Sequence, residues 1–513
     1  MLGAIDYAVI AIYFVCIAVF GVRMAGRQTS TVDYFLASRE LPWWVVCFSV
    51  VATETSTLTI IGLPAVAYGG SLTFMQLTLG YLVGRTLVAV YMLPRYYARE
   101  LVTTYEFLGL RFGDAMRATA SVTFMVTRLL ADGVRLFASA IPIKVIAASA
   151  GMQLGYFEII LVLVSVTVFY TYLGGIKAVV WIDVVQMILY LAAGLLALTL
   201  LLAEAPTGWW AEAAGFGKTT LLDPGLDRSL SGWLTEPYIL PTALIGGAVF
   251  SLASHGMDQL MVQRLLACRS LRDSQKALIG SAVVVMAQFA LFLMVGLLLW
   301  VHYGGASYAE LGISRGDEVF PRYIIEGLPA GLSGLLLAGI IAAAMSTLSS
   351  SVNSLASSSM MDLFLRMTRV PPDERRGLLY SRLLTLAWGA ALVGFASLFT
   401  STDNPVVELG LSIASFTYGG LLGVYLLGML NKSSRQADAL VAFGVTLLAM
   451  AFAGLTVRFS EHQGWVLAYL PTAQEIARRG LVPIAWPWYP VIGSSLTVAL
   501  GSLLAALRKA VQK

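Results

Sequence analysis

The sequence predicts an all-α polytopic membrane protein of about 13 transmembrane helices, and three observations carry that prediction. Of its 513 residues 58% are apolar and only 12% charged, against roughly 25% charged in soluble domains. The apolar segments run roughly 20 residues, enough for an α-helix to cross about 30 Å of hydrocarbon, without the alternation of a membrane barrel. Lys and Arg concentrate in alternate connections, as retention of positive loops on the cytoplasmic side requires.

In chain order, apolar runs between charged or Pro/Gly breaks place spans at 4–24, 42–66, 72–94, 118–149, 154–173, 177–203, 237–258, 276–301, 329–361, 378–400, 404–430, 437–457 and 485–507. The first has no basic residues ahead of it and arginines after it, the reverse of a secretory signal, so a retained helix is expected. The second is interrupted by ATETSTLT and then by Gly62 and Pro64. Pro64 lacks an amide hydrogen and crowds the preceding turn, which predicts an unwound or kinked helix there. The fourth carries Arg128, Asp132 and Arg135, the sixth carries Asp183 near its start, and the ninth ends in MSTLSSSVNSLASSS.

Twenty-two of the 33 Lys and Arg fall in one set of connections, among them Arg264, and seven in the other. This bias predicts an integral plasma membrane protein with its N-terminus outside and its C-terminus cytoplasmic. The longest loops, 205–236 and 302–328, then face outward.

A formal charge of +4 is small for this length, and the basic residues cluster in loops, so nothing points to nucleic acid as a partner. Cys16, Cys47 and Cys268 have no metal or redox spacing. His255, His302 and His462 are the chain's histidines, and no nucleophile–base pairing accompanies them, so transport is expected rather than enzymatic catalysis. The implied partners are the lipid bilayer and a small organic solute, with no obligate protein partner.

Two polar breaks carry the chemistry. Unwinding of the second span frees carbonyl oxygens at mid-membrane, where they must line a cavity or coordinate something, as they coordinate sodium in secondary transporters. The alternative is a plain proline kink, against which stands Glu54, a carboxylate costing about 2.5 kcal/mol or more at mid-span. In the ninth span Ala343, Ser346, Thr347, Ser350, Asn353/Ser354 and Ser357 share one helical stripe, with Ser349 at its margin. Close helix packing explains small residues but does not require so many hydroxyls; a hard cation favours such oxygens. Asp183 is either a solvated helix-end acid or a charge that compensates a cation.

These motifs, with YLGGIKAVVWIDVVQ, DQLMVQRLLACRS, TTYEFLGLRF and GLSGLLLAGIIAAAMSTLSSSVNSLASSSMMDLF, make the chain resemble the solute:sodium symporters nearly end to end. The resemblance implies a sodium-coupled secondary active symporter working by alternating access. It also implies a leucine-transporter-type core of two inverted five-helix repeats at 42–203 and 237–430. Around these lie a first peripheral helix and loop (1–41), an extracellular loop (204–236) and two peripheral C-terminal helices (431–513).

Carried over residue by residue, the family's common sodium site falls on Ala52, Thr55, Ala343, Ser346 and Thr347. A second, present in some members, falls on Asp183, Ser346, Ser349 and Ser350. The coupling ions are thus one or two Na+. Solute-facing positions are Ser56 and Thr59, with Gln76 and Thr78 on the next helix; Thr59 is shorter than the glutamine of sugar carriers, which argues against a glucose-like substrate. Arg128, Asp132 and Arg135 are either a self-contained ion pair or leave Arg135 to clamp a carboxylate, pointing toward an organic acid or acidic sugar. Glu54 is open to amine recognition or proton coupling. A proton-coupled carrier and a solute sensor or uncoupled channel are the alternative functions.

Overall fold

The computed structural model describes residues 3–512 except 27, 150, 152, 314, 330, 369–372, 400–405, 461, 470 and 472. Among the described residues eight helices are long and apolar enough to cross a membrane. A bent pair, Trp43–Glu54 and Thr57–Gly69 at 64°, would make a ninth. The chain forms two compact units, one of residues 1–75, 128–221 and 263–410, the other of 76–127, 222–262 and 411–513.

In the first unit the spans expected at 154–173 and 177–203 form one 49-residue helix, Tyr156–Glu204, whose dihedrals break at Gly175 (φ 54°, ψ −152°). A straight helix of that length would be roughly twice a hydrocarbon core. Gly175 is required there twice over: its φ is left-handed, and a Cβ would lie 2.3 Å from the Tyr34 carbonyl oxygen.

The helix Leu332–Ser358 packs along Tyr156–Glu204 and against Trp43–Glu54, while Leu271–His302 packs on both halves of the bent pair. Ala4–Ala25 lies outermost, with Ile5, Ile12, Val15, Val19 and Val22 exposed. Its buried Asp6 anchors it, accepting from the Gly331 and Gly334 amides at 2.7 Å each. Ser346, Thr347, Ser349, Ser350, Ser351 and Ser354 of the hydroxyl-rich helix are all buried, so these oxygens face protein.

The second unit holds most of Met75–Tyr97, the helices Thr104–Phe112 and Gly247–Gly256, and the C-terminal pair Gln436–Thr456 and Trp488–Val511. It also carries a three-stranded antiparallel sheet of Val457–Ser460, Gly464–Leu467 and Val482–Pro483, which the hydropathy pattern does not anticipate.

Three local expectations change. The second span breaks at Thr55–Ser56, where the backbone is extended (ψ 101° and 172°), and Pro64 sits inside the intact helix Thr57–Gly69. The glycines of GGAVFSLASHG at 246–256 predict an irregular start to the second repeat; the stretch is regular helix over Gly247–Gly256, and the irregularity is a π-turn ahead of it, Thr242–Gly246. Arg264 is no loop residue: it lies in a short helix, Gln259–Leu266, with no solvent exposure.

Candidate functional site

The break at Thr55–Ser56 is what makes the site. A helix leaves its last carbonyls without intrahelical donors, and these are found by the facing hydroxyls. Ser346 Oγ lies 3.0 Å from Ala52 O and 3.1 Å from Ala343 O. Thr347 Oγ1 lies 3.3 Å from Ala343 O and 3.4 Å from Thr53 O. Ala343 lies inside a regular helix, so the carbonyls freed by the break are those of Ala52 and Thr53, and the two hydroxyls reach both. Five oxygens, three carbonyl and two hydroxyl, thus gather in a buried group, the neutral oxygen donor set that suits a hard cation.

Of the five residues expected at the first ion position, Ala52, Ala343, Ser346 and Thr347 are therefore drawn together. Thr55, expected to act through its backbone carbonyl, is buried in the break itself, and its hydroxyl donates to Val51 O at 2.8 Å and accepts from Gln288 Nε2 at 2.6 Å. Gln288 is in turn held by the Tyr190 hydroxyl at 3.2 Å. Thr53, which the sequence pattern does not single out, supplies a carbonyl in this group.

One turn along, Ser349 and Ser350 donate to Ser346 O at 3.0 and 2.6 Å, and Ser350 Oγ meets Thr53 Oγ1 at 3.0 Å. Asp183 is fully buried and is not a solvated helix-end acid. Its Oδ2 accepts from Ser49 Oγ at 2.6 Å and from Arg264 Nη2 at 3.4 Å. The same guanidinium donates to Ser49 Oγ at 2.9 Å and to Ser350 Oγ. Asp183 Oδ1 is buried with no hydrogen-bond partner among the described residues. Arg264 and Ser49 escape the sequence reading, although an arginine inside LMVQRLLAC has apolar neighbours on both sides, which is itself a signal of burial.

The solute-facing candidates divide. Ser56 caps Thr57–Gly69, and its amide donates to Thr59 Oγ1 at 3.3 Å, so both hydroxyl residues help start the second half of the broken helix. Gln76 and Thr78 belong to the second unit, where Gln76 Nε2 donates to Tyr238 O at 2.7 Å and Thr78 is buried. Arg128 and Arg135 share one oxygen of Asp132 at 3.4 and 3.3 Å, and the other oxygen accepts from Ser351 Oγ at 2.5 Å. The Arg128 side chain is 3% exposed and that of Arg135 19%, so Arg135 is the more accessible of the two. Asn353 accepts from Gln263 Nε2 at 2.8 Å and Ser359 from Trp388 Nε1 at 2.8 Å, packing roles for the end of the stripe.

A profile of the sodium:solute symporter family matches residues 34–445. Similar chains include a putative sodium-dependent multivitamin transporter of Drosophila melanogaster, 28% identical over 99% of this chain and 87% of its own. The sodium/sialic acid symporter NanT of Aliivibrio fischeri is 26% identical over 99% and 94%. The human sodium/iodide cotransporter is 28% identical over 92% and 73%. Among solved structures, a substrate-bound, outward-open Na+-coupled sialic acid symporter superposes with a TM-score of 0.82 over 98% of both chains at 24% identity, which shows a shared fold. With the profile covering most of its length, the chain belongs to the sodium:solute symporter family: it is an integral membrane protein that couples solute transport to sodium, and not an enzyme.

Proposed function

We propose that the coupling sodium binds where the broken helix meets the hydroxyl helix, at Ala52, Thr55, Ala343, Ser346 and Thr347. A second ion takes Asp183, Ser346, Ser349 and Ser350. The observation that carries the reading is the buried cluster in which the two hydroxyls of Ser346 and Thr347 face three carbonyls. The orphaned Oδ1 of Asp183 supports the second position, since a buried carboxylate oxygen without a donor is costly unless a cation completes it.

The solute is a small organic anion held beside Ser56 and Thr59 with Arg135 as its carboxylate partner. Arg135, the more exposed of the two arginines that share Asp132, supports that charge preference. So do the names of similar proteins, which carry sialic acid, iodide and monocarboxylates. The reading includes thirteen spans with the N-terminus outside, and inverted repeats at 42–203 and 237–430, supported by the basic-residue bias and the broken helix at the head of the first repeat.

The test is thermal stability of the purified full chain against sugars, organic acids, vitamins and amino acids, each in NaCl and in choline chloride. An organic acid that stabilises only with sodium is the expected result. Stabilisation by a neutral sugar and by no acid contradicts the anionic solute, and stabilisation indifferent to sodium contradicts the coupling site.

A further inference from the structure

The second ion position already has a cation beside it. Arg264 and Asp183 are both without solvent exposure. The guanidinium does more than pair with the acid: it reaches Ser49, which also donates to Asp183, and Ser350, one of the oxygens a second sodium would use. Sodium at Asp183, Ser346, Ser349 and Ser350 would share both Asp183 and Ser350 with a permanently charged guanidinium, within a few ångströms. Asp183 brings one negative charge, enough to compensate one cation in a low-dielectric interior and not two.

From this geometry we propose that Arg264 is a resident counter-cation that competes with sodium for Asp183. The inference rests on Asp183 forming the second sodium position. Sodium entering that position displaces the guanidinium from Oδ2 and Ser350. When sodium leaves, Arg264 returns, so the buried acid is compensated at every stage of the cycle, including the return of the unloaded carrier. The weaker of the two sodium affinities is thereby set by an arginine that is not itself a sodium ligand. Its fork geometry fits the task, because one group spans Ser49, Asp183 and Ser350 at once, which a lysine ammonium does not match.

Equilibrium binding of 22Na+ to the purified full chain tests this, with Arg264→Ala, Arg264→Lys, Asp183→Asn and the Arg264→Ala/Asp183→Asn double variant. Removing the guanidinium should tighten the weaker sodium site about tenfold or more, the effect one close unit charge has on an ionisation equilibrium. Arg264→Lys, which keeps the charge but not the fork and guards against a variant that does not fold, should tighten that site less than the alanine variant does. The double variant should bind one sodium. Millimolar guanidinium chloride should displace one sodium from Arg264→Ala and none from the wild type, a response that a purely structural arginine would not give.

Folded Arg264→Ala with unchanged or weakened sodium binding overturns the proposal, as does an Arg264→Lys protein whose weaker site tightens as much as that of the alanine variant. If Asp183→Asn lowers wild-type sodium binding while Arg264→Ala fails to raise it, the counter-cation fails and the second site stands. If neither variant changes sodium binding, the second site fails with it.

Discussion

Ser346 offers one hydroxyl to two carbonyls, and Ser346→Ala removes it without a penalty in helix propensity. Losing one ligand oxygen should raise the sodium concentration for half-maximal uptake about tenfold, equivalent to roughly 1.4 kcal/mol. Asp183→Asn keeps the shape and removes the charge; the Hill coefficient for sodium should fall from about two toward one. For the solute, Arg135→Lys keeps the charge but loses the planar fork. It should weaken solute binding with little effect on sodium-only stabilisation, whereas a purely structural Arg135 would lower thermal stability in both conditions.

How much of the site could be read from the residues differs by chemistry. The stripe of Ser346, Thr347 and Ser350 is legible because 3.6-residue periodicity fixes which side chains share a face. Thr53 is not, because it acts through a backbone carbonyl that any residue possesses. Arg264 is missed for another reason: counting basic residues by connection treats each as solvated, and a short helix between two spans can bury one completely.

At the scale of elements, the positions of the spans follow from apolar length, but their breaks follow from capping. Proline draws attention to Gly62–Pro64, yet the helix starts again at Ser56, whose amide is taken by the Thr59 hydroxyl. Ser-x-x-Thr ahead of the apolar run that begins at Ile60 is the stronger stop-and-start signal here. Pro64 is accommodated by contact: a Cβ on Gly296 would lie 2.2 Å from the Pro64 carbonyl oxygen, so that glycine allows the two helices to meet. The kink at Gly175 gives a direct prediction. Gly175→Ala should destabilise the protein by about 1–3 kcal/mol, since it strains a left-handed backbone and meets the Tyr34 carbonyl. Gly444→Ala, with open space around the new methyl group, should be neutral or slightly stabilising in the same thermal assay.

For the whole molecule, the number of sodium ions fixes the electrical behaviour. One elementary charge crossing roughly 100 mV gains about 2.3 kcal/mol, close to 50-fold in accumulation. A monovalent anion moving with one sodium would be indifferent to membrane potential, and with two it would show that 50-fold dependence. Uptake of a monocarboxylate into proteoliposomes with a clamped potassium diffusion potential separates the two, and two sodium ions predict stimulation by an inside-negative potential. The family and the symport reaction are legible from the sequence because several long motifs are retained. The solute is not, because short polar side chains such as that of Thr59 can hydrogen-bond many classes of solute.

The central claim, that Ser346 joins two sodium positions, is tested most directly by a sodium titration of thermal stability at constant ionic strength with choline as the replacement. The wild-type midpoint should rise with sodium along a curve that requires two ions, Asp183→Asn should follow a one-ion curve, and Ser346→Ala should need about tenfold more sodium for the same stabilisation. Identical sodium-dependent stabilisation in all three proteins would contradict the account.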